Sequence, residues 1–291
     1  RTPRPSMEDP LKIAYREAAT APAQLTTVSY SAGVEGGFPF SVPALSSLRE
    51  LDLDAPVSIL VGENGTGKST LLEALAIACE LPAVGSARPA TDPTLGPQRR
   101  LARRLQLTWR TRSHRGFFLR AEDFFGFQKG LVAQRAEHEA ELERVDTELA
   151  QSSEYARRLA RGPHRASIGA IENRYGRDPD ARSHGEAFLH LFQQRLAPNG
   201  LFLLDEPEAA LSPQSQLGFV AMIRQAVERG SQFVIATHSP ILMAIPDSRI
   251  YSFDEGTVAP VTYDELPSVT LMRDFLQAPE RYLRMIWEGE V

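Results

Sequence analysis

The eight residues GENGTGKS at 62 to 69 constrain this chain more than any other segment. They satisfy the pattern G-x-x-x-x-G-K-[ST] at every fixed position. A short apolar, β-branched run, Val57 to Val61, precedes them, and the alanine- and leucine-rich stretch Ser69 to Glu80 follows, so the order predicts strand, loop, helix. Glycines at 62, 65 and 67 let the backbone turn successive N–H groups toward one point. The positive end of the following helix faces the same point, so the ligand this loop favours is a phosphate. Gly62, Glu63, Asn64, Gly65, Thr66, Gly67, Lys68, Ser69 and Thr70 are therefore the expected cradle. Lys68 is expected to reach the β- and γ-phosphates of ATP, and the Ser69 hydroxyl to ligate Mg²⁺.

A second buried strand is expected at Leu201 to Leu204, ending in Asp205 and Glu206. Ligands of open α/β sheets collect at the C-terminal ends of strands, which places both acids at a site. Asp205 is expected to hold the Mg²⁺ through water. Neighbouring side chains on a strand point to opposite faces, so Glu206 is assigned the other task, orienting and deprotonating the attacking water. A third strand, Phe233 to Ala236, ends in Thr237-His238-Ser239-Pro240, and beside the Asp205 strand its His238 would reach a γ-phosphate as donor and sensor.

The remaining segments read as follows. A helix-like piece near Leu11 to Ala19 precedes a strand at Leu25 to Tyr30, and Gly33 to Pro43 reads as turn and edge strand. Leu105 to Arg110 and Phe117 to Arg120 read as a hairpin joined by Thr111 to Gly116. Gly130 to Leu159, charged with one apolar stripe, reads as a helix or helical hairpin, broken by the Gly, Pro, Asn and Asp of Arg161 to Arg182. Helices are expected at Glu186 to Leu196, Gln214 to Arg229 and Leu271 to Trp287, with a closing hairpin at Ile250 to Phe253 and Thr257 to Pro260. Strands flanked by helices at this rhythm imply a mainly parallel sheet covered on both faces.

Composition excludes several classes. A net charge of −5 rules out a polycation that would coat nucleic acid or anionic lipid, so any basic surface is local. The candidate is the run from Arg88 to Arg120, with arginines at 88, 99, 100, 103, 104, 110, 112, 115 and 120 against the single acid Asp92; it reads as a phosphate-backbone surface or as a solvated face. A single cysteine, Cys79 in an apolar helical run, excludes an internal disulfide and a cysteine-based zinc site and reads as a packed thiol in a reducing, cytoplasmic compartment. No stretch approaches the ~18 to 20 apolar residues that a bilayer span needs, so direct membrane insertion is not expected. The chain opens on Arg1, and Met7 is a candidate natural start.

Taken in order, GENGTGKST, then SHGEAF at 183 to 188, LFLLDEPEAALSP at 201 to 213 and IATHSP at 235 to 240 resemble the ABC-type ATPase superfamily over roughly residues 25 to 260. Within it the chain resembles the small predicted AAA family ATPases related to the Rad50, SMC and RecF type, with FFLRAEDFF at 117 to 125 and QAPERYL at 277 to 283 matching that group. The resemblance implies an α/β P-loop fold with a mainly parallel sheet core, an antiparallel β-subdomain and a helical insertion. It implies that Ser183, Gly185 and Glu186 belong to a signature loop that binds the γ-phosphate on an opposite subunit, so that ATP binding forms a homodimer. Here that loop reads RSHGE, with Arg182, His184 and Glu186 in place of the usual leucine, glycine and glutamine. The D-loop falls at Ala209 to Ser212, where Ser212 stands for the usual aspartate. The Q-loop position falls near Ala121 and Glu122, or at Gln128; Tyr30, Phe38 and Phe40 are candidates to stack on adenine.

The expected organisation is an N-terminal extension at 1–24, a first ATPase lobe at 25–127, a helical insertion at 128–182 too short for a coiled-coil arm, a second lobe at 183–270 and a C-terminal helix at 271–291. The expected activity is Mg²⁺-dependent ATP hydrolysis driving a dimerisation switch in DNA repair or defence, with nucleic acid or a partner protein as candidate further partners. Two alternatives stand beside it: the nucleotide-binding subunit of an ABC transporter, and an ATP-binding module that does not hydrolyse.

Overall fold

Runs of β-branched and aromatic residues become strands here wherever both of their faces can be covered. A computed structural model describes residues 23–31, 36–84, 88–175 and 184–288. In chain order it contains β1 (Leu25–Tyr30), α1 (Pro43–Ser47), β2 (Glu50–Asp52), β3 (Val57–Val61), α2 (Lys68–Ala78), α3 (Gly96–Ala102), β4 (Leu105–Trp109) and β5 (Gly116–Arg120). A long helical hairpin follows, α4 (Ala121–Glu148) and α5 (Glu154–Tyr175). The last third holds α6 (His184–Arg195), β6 (Leu201–Asp205), α7 (Pro213–Glu228), β7 (Gln232–Ala236), α8 (Pro240–Met243), β8 (Arg249–Ser252), β9 (Ala259–Val261), α9 (Pro267–Gln277) and α10 (Pro279–Glu288).

The larger sheet runs β5-β6-β7-β3-β8-β9, parallel except for β9, and the smaller one is antiparallel, β2-β1-β4. This is an α/β P-loop fold with a mainly parallel core and an antiparallel β-subdomain. Every residue of β3, β6 and β7 is buried, as expected of parallel strands covered on two faces. Alternate residues feed two cores. One face carries Ile59, Phe202, Leu204, Phe233 and Ile235 against Phe188, Phe192 and Phe219 of α6 and α7, where the Phe192 and Phe219 rings meet edge-on at 4.6 Å. The other carries Leu60, Leu203, Val234 and Ala236 against Leu71, Leu72 and Leu75 of α2 and the small sheet. Cys79 lies in this second core, where burial pushes its thiol up to about 12.

Buried Gln232 joins the two sheets: its Oε1 accepts the Gln24 and Leu25 N–H groups at 3.0 and 2.9 Å, and its Nε2 donates to the Leu25 and Leu53 carbonyls, each at 2.8 Å. Such a bridge leaves few of these buried polar groups unpaired where β1 meets the parallel sheet.

Four expectations require correction. The hairpin of 105–110 with 117–120 does not exist: β4 pairs with β1, and β5 pairs in parallel with β6. The patterns explain it, since β4 alternates buried and open positions while the interior of β5 is wholly buried. Gly33 to Pro43 supplies a turn leading into α1, not an edge strand, among its described residues; the second edge strand is the short β2. The break assigned to 161–182 comes later, because α5 continues through Pro163 to Tyr175. That proline sits on an exposed position while the opposite side of α5 is stitched to α4 by Arg135–Glu172 at 3.5 Å and by Arg161–Asp146. Finally, the helix assigned to 271–287 is two helices, parted at Ala278-Pro279, where proline disfavours a helical conformation in the residue before it. The helix-like piece at Leu11 to Ala19 lies outside the described residues. Among the described residues no helix is long and apolar enough to cross a membrane.

Candidate nucleotide site

Register across the parallel sheet aligns Leu60 of β3, Ala236 of β7, Asp205 of β6 and Arg120 of β5 in one row. The loops that follow these strands therefore emerge side by side. After β3 comes the glycine loop, with Gly62, Gly65 and Gly67 all at positive φ (139°, 82° and 104°). At Gly67 a side chain would also press on Val42 Cγ1 at 3.0 Å, so the loop is held tightly under α1.

Lys68 is buried, and its ammonium donates to the Gly62 and Glu63 carbonyls at 2.6 and 2.8 Å. Burial lowers its pKa, while Glu206, Asp205, Asp254 and Glu208 pull it back upward. Ser69 Oγ donates to Asp205 Oδ1 at 3.0 Å. Asp205 is itself buried, which raises its carboxyl to about 7 against the opposing Ser69 hydrogen bond. The expected metal ligands thus touch each other, and the expected phosphate lysine lies among four carboxylates.

Glu206 lies one residue past β6 in the left-handed region, at φ 49° and ψ 48°, with its N–H donated to the Ala236 carbonyl at 2.9 Å. Its side chain is therefore aimed by this turn rather than by strand alternation, and a non-glycine residue held there stores on the order of 1 kcal/mol or more. His238 Nε2 stands 3.6 Å from Glu206 Oε1. The His238 backbone N–H is donated to Glu208 Oε1 at 2.6 Å.

Sequence reasoning missed several groups here. Glu208 holds the His238 loop, and its second oxygen, Oε2, is buried with no hydrogen-bond partner among the described residues. Asp254 accepts the Glu63 N–H at 2.9 Å and so fastens the glycine loop to the end of β8. Buried Gln216 donates to the Leu211 carbonyl at 3.2 Å and accepts from Ser239 Oγ, joining the segment 209–212 to the His238 loop. The first could be suspected from the spacing Asp-Glu-Pro-Glu; the other two carry no local signal, since Asp254 acts on Glu63 and Gln216 on Ser239, both remote in sequence.

Other expected site residues fall elsewhere. Ser183 lies outside the described residues; Gly185 and Glu186 open α6, where a side chain at 185 would meet Ser215 Oγ at 3.2 Å and the Ala210 carbonyl at 3.4 Å. Ser212 caps α7 by accepting the Ser215 N–H at 3.2 Å. Ala121 is buried at the start of α4, Glu122 is exposed beside Arg120, and Gln128 lies further along α4 near Ala187 and Leu191 of α6. Of the aromatic candidates Tyr30 is buried, Phe40 has Arg100 over its ring at 6.0 Å, and Phe38 is exposed. The arginine run is partly consumed: Arg110 forks onto Asp54 at 2.9 Å twice, Arg120 is paired and largely buried, and Arg99 and Arg100 bond the Asp92 and Phe38 carbonyls.

A cleft of about 850 Å³ borders the glycine loop, walled by Val61, Met243, Phe253, Leu266 and Leu271 and edged by His238 and Asp254. The donor set fits Mg²⁺: a hydroxyl and a buried carboxylate are hard oxygen ligands, and Glu208, whose second oxygen is orphaned, is near enough to act on the charge of Lys68. Charge points the same way. Four carboxylates around one lysine would repel a bare triphosphate, whereas a divalent cation offsets both.

Two segments match known family models: residues 186–244 match "AAA domain, putative AbiEii toxin, Type IV TA system", and residues 41–88 match "AAA domain". Over 186 residues, 62% of this chain and 61% of the relative, the sequence is 32% identical to a "Probable anion import ATP-binding protein" of Haloferax volcanii. Together these matches support a member of the ABC-type ATPase and AAA ATPase superfamily. The chain is also 27% identical over 215 residues to the "Macrolide export ATP-binding/permease protein MacB" of Hahella chejuensis, covering 72% of this chain and 30% of that one. It thus spans less than two thirds of the length of either relative. Among solved structures, a nucleotide-free ATP-binding cassette from an ABC transporter superposes with TM-score 0.47 and 14% identity, over 85% of this chain and 98% of that chain.

Proposed function

We propose that this chain binds MgATP at residues 62–70 and hydrolyses it between two copies arranged head to tail, as a dimerisation switch. The observation that carries the reading is the Ser69–Asp205 hydrogen bond at 3.0 Å, which brings together the end of the glycine loop and the end of β6, the two oxygen donors the reading assigns to the metal. Ser69 and Asp205 would hold the ion, which when bound would neutralise phosphate charge. Lys68 would exchange its bonds to the Gly62 and Glu63 carbonyls for bonds to phosphate oxygens. Glu206 would accept a proton from the attacking water, and His238, 3.6 Å from it, would donate to the γ-phosphate. Ser183, Gly185 and Glu186 of a second copy would close the site from the other side.

The match of residues 186–244 to a toxin-associated domain supports a role in defence over one in repair. A second reading, the nucleotide-binding subunit of a transporter, is favoured by the 32% identity to an import ATP-binding protein. Contact with nucleic acid through 88–120 is the weaker proposal, since several of those arginines already have partners. Phosphate-release and ATP-binding assays test the core of the reading. Lys68→Ala should abolish ATP binding; Glu206→Gln should retain it while turnover falls by on the order of 10² to 10⁴. Turnover at the parent rate in Glu206→Gln would remove Glu206 from its role.

A further inference from the structure

Among the buried residues of α7 only Gln216 is polar; Phe219, Ile223, Ala226 and Val227 follow it on the same face at helical spacing. A leucine would fill the position with no amide to satisfy, so packing does not call for glutamine. Its hydrogen bonds do. Nε2 donates to the Leu211 carbonyl at 3.2 Å, and Oε1 accepts the Ser239 hydroxyl. Gln216 and Ser239 are 8% and 7% exposed, so water does not compete for the bond between them. The Ser239 oxygen also caps α8, accepting the Ile241 and Leu242 N–H groups at 3.2 and 3.4 Å. A hydroxyl has two lone pairs and one proton; with both lone pairs facing backbone N–H groups, the proton needs an acceptor elsewhere, and Gln216 supplies it.

His238 precedes Ser239 and lies two residues past the end of β7, so strand alternation does not aim its ring. Two side chains from the segment after β6 fix the loop instead. Glu208 accepts the His238 N–H at 2.6 Å, and Gln216 holds the next residue. Glu206, whose Oε1 stands 3.6 Å from His238 Nε2, opens that same segment. Gln216 therefore ties the imidazole to the frame that carries the carboxylate it faces.

We infer that Gln216 is a positioning residue of the hydrolytic site, setting where the His238 imidazole stands relative to Glu206 by fixing Ser239. The kinetic consequence rests on the nucleotide reading above; the placement of the ring does not.

The test joins nuclear magnetic resonance of the histidine rings to turnover, both on the full chain. The chain has six histidines, and the His238 signal is the one lost in His238→Ala. Without nucleotide, Gln216→Met, which keeps the length and removes both bonds, should move that signal and leave the other five in place. At saturating MgATP its turnover should fall by roughly tenfold, with KM within about threefold of the parent, since misplacing a reacting group by about 1 Å can cost on the order of 100-fold. Gln216→Glu, which retains an oxygen for Ser239, should recover part of the loss; Gln216→Asn, one methylene too short, should not. The decisive comparison is in His238→Ala: adding Gln216→Met there should lower turnover no further, because nothing is left to position. A full further fall in that background, or an unmoved His238 signal in Gln216→Met, overturns the inference. If Gln216→Met does not fold, Gln216→Asn is read in the same way. A parent chain that binds no ATP, with the His238 signal still displaced in Gln216→Met, overturns the nucleotide reading and keeps the positioning.

Discussion

Asp205 carries the sharpest residue-level consequence. Its carboxyl is raised from the usual carboxylate range to about 7 by burial. A raised folded-state value means that the folded protein binds the proton more tightly than the unfolded chain. The corresponding stability is fully present below about pH 4 and is lost as pH rises through 7. In nucleotide-free protein, Asp205→Asn should therefore raise the melting temperature more at pH 8 than at pH 6, by no more than a few kcal/mol of stability. Equal gains at the two pH values would show that the carboxylate is not strained. Mg²⁺ demands the ionised form, so its affinity in the parent protein should climb over the same interval. Much of this site was legible from sequence because its residues sit in contiguous motifs: the glycine loop, the acids after an apolar run and the histidine after another. Asp254, Gln216 and the Glu73–Arg120 pair were not, since Asp254 acts on Glu63, Gln216 on Ser239 and Arg120 on Glu73, partners far away in the chain that only the fold brings near.

At the level of elements, β5 shows both what periodicity tells and where proximity in sequence misleads. Phe117, Phe118 and Leu119 form an unbroken apolar run, the mark of a parallel strand covered on both faces, yet closeness to β4 suggested a hairpin. Gly116 makes the true pairing possible. At φ 129° it lies so close to β6 that a Cβ would fall 1.8 Å from the Leu201 carbonyl oxygen. Gly116→Ala must therefore part the two strands that carry Arg120 and Asp205. We expect a loss of about 3 kcal/mol or more, read as a lower urea midpoint with weakened ATP binding. An unchanged midpoint would mean that β5 does not lie against β6 as described. The helical hairpin gave its charge pattern away but not its length, because Pro163 reads as a breaker until the cross-links between α4 and α5 are known.

For the whole molecule, the proposed function needs a site that one copy does not complete. The glycine loop, Asp205, Glu206 and His238 converge from neighbouring strands of one copy, whereas Gly185 and Glu186 open α6, with Gly185 against Ala210 and Ser215. Closure by a second copy is what would turn nucleotide binding into a change of assembly. The most direct measurement is the mass of Glu206→Gln in solution, by light scattering, with and without MgATP. Monomer without nucleotide and a dimer with it is the expected result, reversed when Lys68→Ala is added to the same chain. A monomer under both conditions, with ATP demonstrably bound, would contradict the account.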